Sequence, residues 1–151
     1  MDDALVVLDG HEGDTALVRE AGAYAAGADA DVVFYAPLSE DEYEEAVTAL
    51  DRLEQREHRD YSDEEALGVA RNRAREAAEE ALPDFDVEWS VVTDVTDEVE
   101  APRVIEIAEA HDCDHVYALG EARSPTGKAV FGDTTQRLIL NFPGYVTVKM
   151  D

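Results

Sequence analysis

Three short segments of this chain are apolar on both faces: Leu5-Val6-Val7-Leu8, Val32-Val33-Phe34-Tyr35 and Val116-Tyr117-Ala118-Leu119. A strand with apolar residues at every position has no side to offer water, so it must lie inside a sheet covered by helices above and below. Helix-length segments with 3.6-residue periodicity separate these runs, which is the pattern of an α/β fold with parallel strands. No other single feature of the chain restricts its architecture as far.

The first strand, Ala4 to Leu8, ends at Asp9-Gly10. A helix is expected from about Thr15 to Ala26, with Asp14 as its N-cap. The second strand covers Asp31 to Tyr35, and Pro37 ends it. Ser39 then caps a helix with apolar positions Tyr43, Ala46, Val47, Leu50 and Leu53. Ser62-x-x-Glu65 reads as a capping box for a further helix, whose stripe runs Ala66, Ala70, Ala74, Ala77, Ala81 before Pro83. The third strand is expected over Phe85 to Val92, a helix over Pro102 to Ala110, the fourth strand over His115 to Leu119, a helix over Thr134 to Leu140, and the fifth strand over Tyr145 to Met150.

Strands three and five differ from the others by alternating. Phe85, Val87, Trp89 and Val91 oppose Asp86, Glu88 and Ser90; Tyr145, Thr147 and Lys149 oppose Val146, Val148 and Met150. Alternating strands belong at edges, and right-handed crossovers then favour the order 3-2-1-4-5. The expectation is an open, parallel, five-stranded Rossmann-like sheet with helices on both faces, in one domain over 1–151. Its strand order reverses between strands one and four, and ligands of open α/β sheets bind at such a point, beyond the carboxyl ends of the strands. Those ends are Asp9-Gly10 and Gly120.

Composition narrows the partners. Thirty-seven acidic residues face twelve basic ones, for a formal charge of -25, and only Lys128 and Lys149 are lysines. Such a surface repels nucleic-acid phosphates and anionic lipid headgroups, which argues against both as partners. It also repels itself unless salt screens it, and at about 1 M salt the Debye length falls to ~3 Å. The acidic excess therefore reads as adaptation to a salt-loaded cytoplasm, as in an extreme halophile. With 45% hydrophobic residues in periodic blocks, disorder is not the reading. The acidic start MDDALVV has no basic n-region, and no apolar run is long enough to span a bilayer, so a cytoplasmic protein is expected. The lone Cys113 precludes an intramolecular disulfide framework.

Gly120 opens the segment GEARSPTGKAVFGDTTQ, whose Gly127-Lys128 resembles a P-loop only superficially. The P-loop pattern G-x-x-x-x-G-K-[ST] would need glycine at Ala122 and a hydroxyl at Ala129. Other chemistry is weaker still. His111, Cys113 and His115 alternate along a helix end and the start of a strand, where they need not converge, and no closed four-ligand set is evident. No metal site is assigned. His11 has no nucleophile to serve, and Asp2 and Asp3 stand at the wrong end of the first strand for a phospho-receiver acid pair. No catalytic residue is assigned.

Asp9-Gly10 at a strand end, the long insertion after strand two, DHVYALG at 114–120 and SPTGKAVFGDTTQRLIL at 124–140 together resemble the universal stress protein family over essentially the full length. The resemblance implies a Rossmann-like domain, a homodimer paired through its last strand, and a regulatory or protective role with no dedicated reaction. It also implies a division into members that bind ATP and members that do not. Binding members carry a G-x-x-G-x9-G-[ST] loop and an aspartate at the end of strand one. Asp9 and Gly120 match. Arg123 stands at the second glycine, Gly132 comes one residue early, and Asp133 replaces the phosphate-binding hydroxyl. Arg123 and Lys128 bring two cations, and Ser124, Thr126 and Thr134 three hydroxyls, to an otherwise anionic protein.

The residues expected around a nucleotide are Asp9, Gly10, Ala36, Leu119, Gly120, Arg123, Ser124, Gly127, Lys128, Gly132, Asp133 and Thr134, with ATP or AMP and Mg²⁺ as the implied cofactors. Tyr145, Val146, Val148 and Met150 are the expected dimer interface. Two functions stand side by side: a homodimeric sensor or regulator that binds an adenine nucleotide, and a nucleotide-free dimeric interaction module in which Asp133, with Gln136 three residues on, caps its own helix. The regulatory partner is unidentified. A nucleotide hydrolase is a third, weaker reading.

Overall fold

The computed structural model describes residues 3–8, 14–57, 67–83, 85–120 and 133–150. Five parallel strands, β1 (Asp3–Val7), β2 (Val32–Tyr35), β3 (Trp89–Val92), β4 (Cys113–Leu119) and β5 (Tyr145–Lys149), lie in the order β3-β2-β1-β4-β5. Five described helices accompany them: α1 (Asp14–Ala28), α2 (Glu40–Glu57), α3 (Gly68–Ala81), α4 (Ala101–Ala110) and α5 (Asp133–Asn141). This is the Rossmann-like sheet expected from the strand patterning, with β3 and β5 at its edges.

The pleat sorts the core into two layers. Ala4, Val6, Leu8, Val32, Phe34 and Tyr117 meet Leu17, Val18, Ala21 and Ala25 of α1 and the alanines of α3. On the other face, Leu5, Val7, Val33, Tyr35 and Val116 meet Val104 and Ile107 of α4 and Leu138 of α5. Fully burying each large aliphatic side chain contributes about 1.5–3 kcal/mol relative to leaving it in water, which is why the two-faced strands have to be central.

Element ends differ from the sequence reading for local reasons. Strand β3 begins at Trp89 rather than Phe85, although Val32 N–H already donates to Glu88 O (3.0 Å) and Phe85 and Val87 still pack on the α1/α3-side core. The buried stripe of α3 is Ala70, Ala74, Ala78 and Ala81, with Ala77 only partly buried. Ser62, Glu65 and Ala66 lie outside the described residues. Asp14 is the first residue of α1 and is buried. Ser39 does cap α2, and reciprocally: its Oγ accepts from Glu42 N (3.1 Å) while Glu42 Oε1 accepts from Ser39 N (3.2 Å), a full capping box.

Helix α1 runs two residues past the expected stop. Gly27 lies inside it, and the turn out of the helix is made by Asp29 at φ 55°, with Ala30 N–H bonded to Ala25 O at 2.8 Å. That is the Schellman arrangement with aspartate where glycine is usual. Asp112 repeats the left-handed conformation (φ 55°) after α4.

Candidate functional site

The carboxyl ends of β1 and β4 part at the point where the strand order reverses, and a crevice of about 450 Å³ opens there. Its floor is Val7 with Ala118, Leu119 and Gly120, and its walls are Asp97–Val99 of the β3–α4 connection and Asp133–Thr135 of α5. That volume falls in the range of ordinary small-ligand sites.

Each wall is held by an identifiable bond. Gly120 N–H donates to Lys149 O (2.8 Å), drawing the end of β4 against β5. A Cβ on Gly120 would fall 2.4 Å from Met150 Sδ and 2.9 Å from Val148 Cγ1, so glycine allows this approach. The Thr134 hydroxyl donates to Val99 O at 2.5 Å and ties α5 to the β3–α4 connection. That connection is in turn sewn to the end of β2: Leu38 bridges Val95, Thr96 N donates to Leu38 O (2.7 Å), and Asp97 Oδ1 accepts from Glu40 N (2.9 Å) at the start of α2.

Leu119, Gly120, Asp133 and Thr134, four of the expected ligand residues, thus converge on one crevice. Ala36 does not join them; it is fully buried in the α1/α3-side core, its N–H bonded to Val92 O at 2.9 Å. Asp9, Gly10, Arg123, Ser124, Gly127, Lys128 and Gly132 lie outside the described residues, as do His11 and Asp2. Helix α5 begins at Asp133 itself. Its carboxylate is 89% exposed and lies 3.8 Å from Arg137 one turn on.

A charged cluster near this end of the sheet escaped the sequence reading. Asp94, two residues beyond β3, accepts from the Tyr35 hydroxyl at Oδ2 (2.7 Å), from Arg103 Nε at Oδ2 (2.8 Å) and from Arg103 Nη2 at Oδ1 (3.1 Å). Arg103 Nη1 is bonded to Glu106 as well. Burial raises the Asp94 pKa, but the bonds from Arg103 and Tyr35 outweigh it and leave it below the usual carboxylate range. Tyr35 is shifted upward by burial and then by its bond to Asp94; Arg103 is shifted upward chiefly by the same carboxylate. The Tyr35 hydroxyl and each of the three Arg103 nitrogens bond a carboxylate, which clamps the β3–α4 connection against β2 and α4. The available signal was positional: Tyr35 and Asp94 come from the carboxyl ends of neighbouring strands.

The His111-Cys113-His115 alternation does not converge. A register irregularity between Asp3 and Ala4 lets Asp3 pair with Cys113 and Ala4 with His115, and the two side chains leave on opposite faces. Cys113 enters the α4/α5-side core, where burial pushes its thiol up to about 12. His115 packs between Tyr24 of α1 (4.0 Å) and Tyr145 of β5 (4.6 Å), with Nδ1 2.9 Å from Asp114 Oδ1. Asp3 Oδ1 accepts from Asp31 N (3.0 Å) at the amino end of the sheet, away from the crevice.

At the opposite edge, β5 is paired, among the described residues, only with β4. Tyr145 is exposed, and Val146, Val148 and Met150 are half-buried. Among the described residues no helix is long and apolar enough to cross a membrane.

Fold and crevice together define a Rossmann-like α/β domain with a ligand-sized opening at its topological switch point. The chain belongs to the universal stress protein family, whose family model matches residues 1–148. Solved structures agree in fold. A universal stress protein from Archaeoglobus fulgidus superposes with a TM-score of 0.61 at 18% identity, covering 98% of both chains. The universal stress protein from Archaeoglobus fulgidus in complex with dAMP gives 0.57 at 16% identity, covering 98% of this chain and 97% of that one. A universal stress protein in complex with cAMP gives 0.54 at 15%, covering 99% and 96%. None of the curated proteins compared with the chain matches it.

Proposed function

We propose that this universal stress protein family member is a cytoplasmic stress-response sensor or regulator that takes an adenine nucleotide in the crevice between β1 and β4 and works as a homodimer paired through β5. The observation that carries the reading is the crevice itself, a cavity of about 450 Å³ at the switch point of the sheet. Two structurally similar proteins were solved with dAMP and with cAMP, which supports an adenine ligand of this kind here. The open edge of β5, with Tyr145 exposed beside half-buried Val146, Val148 and Met150, supports the pairing, because an unprotected strand edge is otherwise a liability.

Isothermal titration with adenosine, AMP and ATP, with and without Mg²⁺ in molar KCl, tests the ligand, and light scattering in the same buffer tests the dimer. Saturable binding of any of the three supports the reading. No binding of any favours the nucleotide-free interaction module, a reading that the carboxylate of Asp133 at the start of α5 supports.

A further inference from the structure

We infer, resting on the reading of the crevice as an adenine site, that Asp94 and Arg103 are positioning residues for the ligand: their ion pair clamps the loop that forms one crevice wall. The two residues stand nine apart in the chain, Asp94 just beyond β3 and Arg103 in the first turn of α4. Midway between them lie Asp97–Val99, the wall itself. Arg103 Nε (2.8 Å) and Nη2 (3.1 Å) donate to the two oxygens of Asp94 and so close this loop at its base. A paired contact of this kind fixes orientation as well as distance, which a single-point contact does not. The Tyr35 hydroxyl, bonded to Asp94 Oδ2 at 2.7 Å, anchors the clamp to the carboxyl end of β2.

Val99 packs on the α4/α5-side core, but Asp97 and Glu98 are exposed, so bonds hold that part of the wall. The crevice of about 450 Å³ lies on one side of it. On the other is a cavity of about 300 Å³ bounded by Tyr35, Asp94, Thr96, Glu100 and Arg103. Glu98 lines both, so the connection is a partition with open volume on either side. The Thr96 hydroxyl donates to Glu98 O (2.7 Å) and shapes a local turn, but that bond ties the loop only to itself. Leu38, Glu40 and Thr134 hold it at single points, through Thr96 N, Asp97 Oδ1 and Val99 O. Among these ties the clamp alone joins opposite charges. A ligand that meets a wall already in place does not bear the cost of ordering it, and the clamp supplies that preorganisation.

The test measures adenosine dissociation constants by isothermal titration in molar KCl, well below the unfolding transition, for the native chain, D94N, R103M and the double variant. Each single substitution is expected to weaken adenosine by about threefold or more. The double variant should be no more than about twofold weaker than the worse single one, since both break the same contact. Gly144→Ala is the control for stability, because its Cβ strains the α5–β5 turn at the amino end of the sheet. It should lower Tm and leave adenosine affinity within about twofold. Tyr35→Phe keeps the buried ring and removes one bond to Asp94, a milder break should D94N fold poorly, and it should weaken adenosine in the same direction. D94N or R103M with a lowered Tm and native affinity overturns the inference and leaves the adenine site standing. Single effects that multiply in the double variant, or an equal loss in Gly144→Ala, also overturn it. Failure of adenosine to bind the native chain overturns the adenine reading and, with it, the positioning role.

Discussion

Replacing Asp94 with asparagine isolates the clamp that holds the β3–α4 wall of the crevice. The carboxylate takes two bonds from the Arg103 guanidinium and one from the Tyr35 hydroxyl. Asparagine keeps a carbonyl oxygen for one or two of these donors but loses the charge and turns an N–H₂ toward the guanidinium. Hydrogen bonds to a charged partner contribute about 1.5–3 kcal/mol. The side chains of Arg103 and Asp94 are 37% and 26% exposed, so solvent screening places the loss in the lower part of that range. A cost of about 1.5–2 kcal/mol corresponds to a fall in Tm of about 3–8 °C for a domain of this size.

The assay is thermal unfolding in molar KCl followed by circular dichroism, repeated from pH 7 down to pH 3. The sign of the pH effect is fixed by the direction of the Asp94 shift. Its folded-state pKa is lowered, so its contribution is complete above the unfolded carboxyl value and disappears as pH falls through the folded one. The gap between native chain and variant should therefore be widest near neutrality and close in acid. A variant within about 1 °C of the native chain at pH 7, or a gap that widens in acid, refutes the clamp.

Three further outcomes follow from the fold. Asp29→Gly should raise stability by about 0.5–1 kcal/mol in thermal unfolding, because glycine adopts the left-handed conformation freely and removes a carboxylate from the negative end of α1; an unchanged or lower Tm counts against it. Gly144→Ala should cost about 1–3 kcal/mol by overpacking, since its Cβ would fall 2.2 Å from the Asp114 carbonyl oxygen, and a neutral result would show that the α5–β5 turn can yield. Transfer from molar KCl to millimolar salt should unfold the protein as self-repulsion across a formal charge of -25 becomes unscreened; a full native circular dichroism spectrum in millimolar salt contradicts that reading of the composition.

What could be read from the sequence was the hydrophobic pattern and whatever follows from it. LVVL, VVFY and VYAL have no polar face, and the alternation in DFDVEWSVV and YVTVKM does, so burial sorted central strands from edges and right-handed crossovers then gave the order. The end of α1 was read less well, because Gly27 looks like a helix stop and Asp29 does not, yet Asp29 makes the turn. The site was legible in part. Strand ends place Leu119 and Gly120 at the crevice, and Asp133 and Thr134 follow from the next helix. Asp97, Glu98 and the Asp94–Tyr35–Arg103 clamp were hidden, since their roles depend on how the β3–α4 connection folds across the sheet end. No local periodicity encodes that path. It depends on bonds between residues 35 and 94, 38 and 96, and 99 and 134, far apart in the chain.

The central claim is one of place: an adenine ligand seats at the carboxyl ends of β1 and β4. Photolabelling with an 8-azido derivative of AMP in molar KCl, followed by peptide mapping, tests it most directly. Label is expected on peptides containing Val7–Leu8, Ala118–Gly120 or Asp97–Val99, competed away by adenosine. Label elsewhere, or label that adenosine does not displace, contradicts it.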